Sequence, residues 1–287
     1  MVDQAPPDMA SLHFDHEVMP ALFVGHGSPM NAVEAGLFSA AWRAVGAALP
    51  RPQAVLSVSS HWLTRGTAVT AMRTPRTIHD FYGFPQELYE LQYPAPGAPD
   101  LAGHIVEMVG GGETGPDHEW GLDHGTWVVL MHMYPEADIP VLQLSIDTTL
   151  PPAGHYELGR QLAGLRREGV LVLGSGNIVH NLRLAHPDPG AAFEWALEFD
   201  RRIESHLHKR NHRSIWEYES MGEIARLAVP TNDHFLPLLY LLGLQQDGDH
   251  ISFFSDQVIH GSLSMRSILL HGNLQTRSSY DHHRHTV

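Results

Sequence analysis

MPALFVGHGSPMN, residues Met19 to Asn31, is the stretch that decides how the rest of the chain is read. Ala21 to Val24 form a short apolar run of strand type, and the run stops at Gly25-His26-Gly27-Ser28-Pro29, residues that break regular structure. His26 therefore sits where a strand ends. Glycines on both sides leave room for a group to approach its imidazole, and Pro29 stiffens the exit. Taken alone, the stretch fits a presented ligand or base as well as it fits a turn with an incidental histidine. Recurrence along the chain separates the two.

Downstream, Leu37 to Leu49 has helical spacing of apolar residues and is closed by Pro50 and Pro52. Ala54 to Ser59 is a second strand, running directly into His61-Trp62. Strand, helix and strand in this order predict an open α/β sheet. Thr67 to Met72 reads as a further strand, Pro99 to Val109 as a helix before Gly110-Gly111-Gly112, and Ile139 to Ile146 as a strongly apolar strand. Tyr156 to Glu168 has the pattern of an amphipathic helix. Val170 to Leu173 is the next strand, and it ends in Gly174-Ser175-Gly176-Asn177-Ile178-Val179-His180-Asn181. This glycine pair has no lysine or third glycine in register, so a nucleotide site is rejected. Phe193 to Lys209 reads as a long polar helix with Trp195, Phe199 and Ile203 on its inner face. Pro230 to Tyr240 combines a capping candidate with an apolar helix start and places His234 in the first turn. The expectation is one α/β domain over residues 19–275, with a mostly parallel or mixed central sheet flanked by helices. Residues 1–18 are expected to be a flexible N-terminal segment and 276–287 a disordered, histidine-rich tail.

Lysine and arginine number 18 against 32 acidic residues, a formal charge of −14, and no basic stretch is long enough to follow a phosphate backbone. Nucleic acid and anionic membrane are not expected partners. With no cysteine, any metal must be held by nitrogen and oxygen. No apolar run approaches the roughly 20 residues of a membrane span, and no basic segment precedes an apolar one at the start, so a cytoplasmic protein is expected. Histidine stands out, at 22 residues. The runs His206 to His212 and Asp281 to Val287 are charge-rich and read as solvated; the informative histidines lie beside apolar runs and glycines.

His26, His61 and His180 each follow a strand, and ligands of open α/β sheets bind outside the carboxyl ends of strands. Gathering neutral imidazoles at one rim points to a metal, with His234 able to complete the set; a cluster of acid–base histidines is the other outcome. His124, in Gly121-Leu122-Asp123-His124-Gly125-Thr126-Trp127, is a candidate general acid or base beside a capping Asp123. Ile78 to Pro85 (IHDFYGFP) is an aromatic, glycine-containing segment suited to a pocket wall, with His79, Asp80 and Phe81 as substrate contacts.

The blocks MPALFVGHGSPMN, SVSSHW, TIHDFYGFP, LDHGTW, LVLGSGNIVHNL, NDHFLPLLY and HGSLSM occur in that order between about Met19 and Met265. Together they resemble the 4,5-DOPA extradiol dioxygenase family, within the superfamily of the protocatechuate 4,5-dioxygenase catalytic subunit. The resemblance implies one mononuclear divalent metal, Fe(II) for activity or Zn(II) as isolated, and insertion of both atoms of O2 into a small aromatic substrate, a catechol such as DOPA. Carried over by motif, His26, His61 and His234 are metal ligands. His180 matches a fourth ligand in this family and an acid–base histidine in the wider superfamily, and His124 matches a pocket histidine close to oxygen or substrate. The wider superfamily has a glutamate as third ligand, where this sequence offers His234. A zinc-dependent hydrolase, or a zinc-bound protein of other activity, is the alternative use of the same histidines. Arg65, Arg73 and Arg76 are the candidate partners for a substrate carboxylate, with surface roles as the plainer reading.

Overall fold

Strand β1 (Ala21–Gly25) is buried along its whole length because both of its faces are covered: Leu22 and Val24 enter one hydrophobic cluster, Ala21 and Phe23 another. The same alternation recurs in Val170 and Val172 against Leu171 and Leu173. A strand that buries both faces reads in sequence as a continuous apolar run, which is why these runs were legible. The computed structural model describes residues 17–110 and 114–272.

The remaining strands are β2 (Ala54–Thr64), β3 (Ala68–Thr70), β4 (Gly115–Asp117), β5 (Val141–Asp147), β6 (Val170–Gly176), β7 (His250–Phe254), β8 (Val258–Ile259), β9 (Leu263–Ser264) and β10 (Ser267–His271). Eight of them form one mixed sheet in the order β4-β3-β5-β2-β6-β1-β10-β7, and β8 pairs with β9. The centre of the sheet, β5-β2-β6-β1, is parallel, while β10 and β7 run antiparallel beside β1. Helices α1 (Leu37–Ala48), α2 (Gln86–Glu90) and α4 (His124–Met133) cover one face; α3 (Pro99–Met108), α5 (Pro152–Gln161), α6 (Glu194–His208), α7 (His212–Trp216), α8 (Glu223–Ala228) and α9 (Leu236–Gly243) cover the other. The α/β expectation with a mixed sheet holds. Among the described residues no helix is long and apolar enough to cross a membrane.

Two elements differ from the sequence reading. The helix expected over Tyr156 to Glu168 begins earlier, at Pro152, and gives way to a 3-10 helix over Leu162–Glu168. Pro152 occupies the first helical position, where its missing N–H costs nothing, and Gly169 ends the segment in the left-handed region with φ 76°. Strand β2 does not stop at Ser59 but continues through His61 to Thr64. Its pairing with β5 jumps from Val58↔Leu144 to Leu63↔Ile146, so Ser59 to Trp62 bulge opposite Ser145 alone. The Ser145 hydroxyl fastens the bulge, 2.6 Å from Thr64 Oγ1 and accepting from the Ala68 N–H. The expected N-terminal segment falls outside the described residues except for 17 and 18, and the expected tail falls outside them entirely.

Candidate metal centre

Because β6 lies between β1 and β2 and all three are parallel, their carboxyl ends open on one rim. His26 leaves the end of β1, and the bulge in β2 carries His61 beyond the last residue that pairs with β6. Helix α4 begins at the same rim. Its N-cap is Asp123, whose carboxylate accepts from the Thr126 N–H and also from Ser59 Oγ and Gln143 Nε2, both at 2.7 Å. Burial, reinforced by the charge on Asp80, pushes the Asp123 carboxyl up to about 6, against the pull of Gln143 and Ser59. Gly125, in the first turn of α4, packs so closely on the bulge that a Cβ would meet Ser59 Oγ at 2.6 Å.

His234 enters from the turn before α9. The turn sits directly on the end of β6: the Asn177 N–H donates to the His234 carbonyl at 2.8 Å, and a Cβ on Gly176 would lie 2.1 Å from that oxygen. Only glycine allows this approach. His180 stacks flat on His234, ring centres 3.5 Å apart and 4° from parallel. The five imidazoles of His26, His61, His124, His180 and His234 thus line one cavity of about 270 Å³, together with Phe81, Phe84, Pro29, Leu182 and Leu263.

The ring nitrogens are oriented from behind. Ser175 Oγ donates to the Gly125 carbonyl at 2.5 Å, so at 3.0 Å it accepts from Nδ1–H of His26. Asp80 Oδ2 accepts from Nδ1–H of His124 at 2.9 Å and lies 3.4 Å from Nδ1 of His61. Asp233 Oδ2 holds His234 Nδ1 at 2.8 Å. Each anchored imidazole is left with its Nε2 lone pair facing inward, the tautomer a metal ligand needs. His26 Nε2 and His61 Nε2 stand 3.1 Å apart, and with Nδ1–H of His26 given to Ser175 the His26 Nε2 is the acceptor of this contact. Nitrogens on one ion take about this spacing when each metal–nitrogen bond is about 2.0–2.1 Å. Ring nitrogens of His26, His61 and His124 that could serve as ligands all lie within 4.8 Å of one another. The donor set therefore fits one divalent ion.

Burial, then mutual repulsion among the imidazoles, holds His26 and His61 well below the usual histidine value, and it brings His180 down to about 3. Burial alone would raise the Asp80 carboxyl, but the hydrogen bond and charge of His124, with His61, bring it down to about 2. The unfolded chain protonates these histidines near 6.5 and the folded chain does not, so stability is full above that pH and declines as pH falls below it. The metal-free protein is expected to show a melting temperature that drops steadily from pH 7 to pH 5, with a drop at least as steep when a divalent ion is bound, since ligated imidazoles take no proton; a flat profile in calorimetry would contradict the neutral cluster.

Sequence reasoning gave five histidines of this cavity and Phe81 in its wall. His79 and Asp80 are placed otherwise. His79 donates from Nε2 to the Leu91 carbonyl and packs on Tyr89 and Trp127, and it does not line the cavity. Asp80 turns both oxygens to His124, one to its backbone N–H and one to its ring. The segment before it is pinned along Leu122, which brings Asp80 to the start of α4. Arg65, Arg73 and Arg76 also lie off the cavity. Ser175 went unnoticed, since a hydroxyl between two glycines carries no signal of its own. Asp80→Asn, which keeps the shape but loses the charge behind two imidazoles, is expected to weaken metal affinity about 10- to 100-fold; titration of the metal-free protein with Zn(II) reads it.

Residues 20–264 match the family model described as the catalytic LigB subunit of aromatic ring-opening dioxygenase. The chain is 49% identical over 257 residues to "4,5-DOPA dioxygenase extradiol" of Escherichia coli K12, covering 87% of this chain and 94% of that protein. It is 38% identical over 236 residues to the protein of the same name from Beta vulgaris, covering 80% and 88%. The crystal structure of an uncharacterized Escherichia coli K12 protein superposes with a TM-score of 0.77 at 44% identity, covering 88% of this chain and 99% of that one. With its histidine-lined rim and a match over most of its length, the chain belongs to the LigB family of aromatic ring-opening dioxygenases.

Proposed function

We propose that this extradiol dioxygenase opens the ring of a catechol, DOPA being the example its relatives' names supply, with one divalent metal held at the histidine rim and Fe(II) as the active ion. The observation that carries this reading is the facing pair His26 and His61, whose Nε2 atoms stand 3.1 Å apart, with His26 Nδ1 held by Ser175 and His61 Nδ1 3.4 Å from the Asp80 carboxylate. His26, His61, His180 and His234 are the residues that would hold the ion. A second ligand set has a specific observation in its favour: nitrogens of His26, His61 and His124 all lie within 4.8 Å of one another.

The bound ion supplies the electron transfer that lets a catechol react with O2. The chain's own residues supply the rest. His124, with Nδ1–H committed to Asp80, keeps Nε2 free to take a phenolic proton and return it, and the Asp80 carboxylate stabilises the imidazolium formed between those events. Phe81 meets the His124 ring edge-on at 5.7 Å and Phe84 at 5.3 Å, building an apolar wall for an aromatic ring and excluding water from it. The partners in this reading are a small catechol and O2.

The test is anaerobic loading with Fe(II), then addition of a catechol and air. One O2 consumed per catechol, with a new yellow chromophore, is the expected result. A Zn(II)-loaded protein that hydrolyses substrates, while the Fe(II)-loaded form takes up no oxygen, would replace this reading with the hydrolase.

A further inference from the structure

Beneath the rim, four side chains from three elements meet out of reach of solvent: Ser59 in the β2 bulge, Gln143 on β5, and Asp123 and Thr126 at the start of α4. Their hydrogen bonds have one possible polarity. The backbone N–H of Asp123 donates to Gln143 Oε1 at 2.8 Å, which fixes the amide and turns its Nε2 toward Asp123 Oδ2. The Thr126 N–H donates to Asp123 Oδ1, so that end of the side chain must also be oxygen. Ser59 Oγ gives its proton to the same oxygen and accepts in turn from the His61 N–H at 3.4 Å. All three groups bonded to the Asp123 carboxylate are donors.

This carboxylate therefore ties two histidine-bearing segments to each other. Through Ser59 it holds the bulge that presents His61, and through the Thr126 N–H it starts the helix whose first residue is His124. The rings of those two histidines lie 4.1 Å apart, centre to centre. With Asp123→Asn, the amide oxygen must stay toward Ser59 and Thr126, so the new NH2 faces Gln143 Nε2, donor against donor in a fully buried place. Gln143 cannot turn over to relieve this, because its oxygen is held by the backbone N–H. Adding Gln143→Glu removes the conflict: the new carboxylate accepts both from that N–H and from the amide at 123. Every bond is then remade, with donor and acceptor exchanged between the two side chains.

We propose that, with a metal held at the rim as in the reading above, on which this rests, Asp123 and Gln143 are a positioning pair that sets His61 and His124 in register for one ion. The direction of their hydrogen bonds does this, and the place of the negative charge does not. Neither residue lines the cavity, so both act through the segments they hold. Nothing in the pairing depends on which ring the enzyme opens.

Zn(II) dissociation constants are measured on the metal-free, full-length protein by competition with a chromophoric chelator, alongside proton–nitrogen correlation spectra of the histidine rings. Asp123→Asn is expected to weaken Zn(II) binding about tenfold or more and to move the ring signals of both His61 and His124. Asp123→Asn with Gln143→Glu is expected to bind within about threefold of the parent and to return both sets of signals, although its charge now lies on β5. Ser59→Ala, which cuts only the link to the bulge, is expected to move the His61 signals further than those of His124; it decides the matter if Asp123→Asn alone does not fold. A double variant as impaired as Asp123→Asn, or His61 signals unmoved in Ser59→Ala, overturns the proposal. A parent protein that takes up no Zn(II), while its ring signals follow the exchange as stated, upholds the pairing and removes the metal reading.

Discussion

His61→Ala is expected to abolish ring opening, lowering kcat/KM on the order of 10³-fold or more, which corresponds to about 4 kcal/mol of transition-state stabilisation. The imidazole supplies one of the two facing Nε2 atoms, and His26 alone offers a single nitrogen from this pair. His61 is the better choice for truncation than His26 because it is partly exposed at the rim, while His26 is sealed beneath it. Bound metal and O2 uptake should fall together, with far-ultraviolet dichroism unchanged. A variant that keeps both its metal and its turnover would show that the 3.1 Å pair is not where the ion sits.

For His124→Ala the expected outcome has two parts. Turnover should fall about 10²- to 10⁴-fold, the usual worth of a positioned acid–base group, and metal content should stay close to one ion per chain. The deficit should lie in kcat, and the acid limb of the pH–rate profile should shift, since a proton carrier has been removed and a ligand has not. If the metal is lost along with activity, the tight cluster of His26, His61 and His124 is the true ligand set, and the proton must be moved by His180. Metal analysis of one variant thus decides between two assignments that share His26 and His61.

The sequence showed the histidines because strand ends are legible: an apolar run covered on both faces stops where glycine and a polar side chain begin, as at Val24-Gly25-His26 and Leu173-Gly174. It could not show how those histidines are aimed. Asp80 sits in an aromatic segment that reads as a pocket wall, yet its oxygens face inward to His124 through an alignment of that segment with Leu122, a contact between residues 44 apart in the case of Asp80 and His124. The β2 bulge was equally hidden. Ser59 to Trp62 look like the end of a strand, and only the renewed pairing of Leu63 with Ile146 reveals that the strand goes on. The antiparallel neighbour β10 follows a turn and short strands that carry little pattern of their own. Positions fixed by local chemistry were readable; those fixed by distant pairing were not.

The two neighbours of strand β1 come from far later in the chain: Ala21 pairs with Val172 on one side and with Leu270 on the other. The middle of the sheet therefore cannot close until Leu270 has joined it, and such long-range pairing slows folding. His26 rides on that strand, so the rim that gathers the imidazoles takes shape only after residues about 250 positions apart have paired.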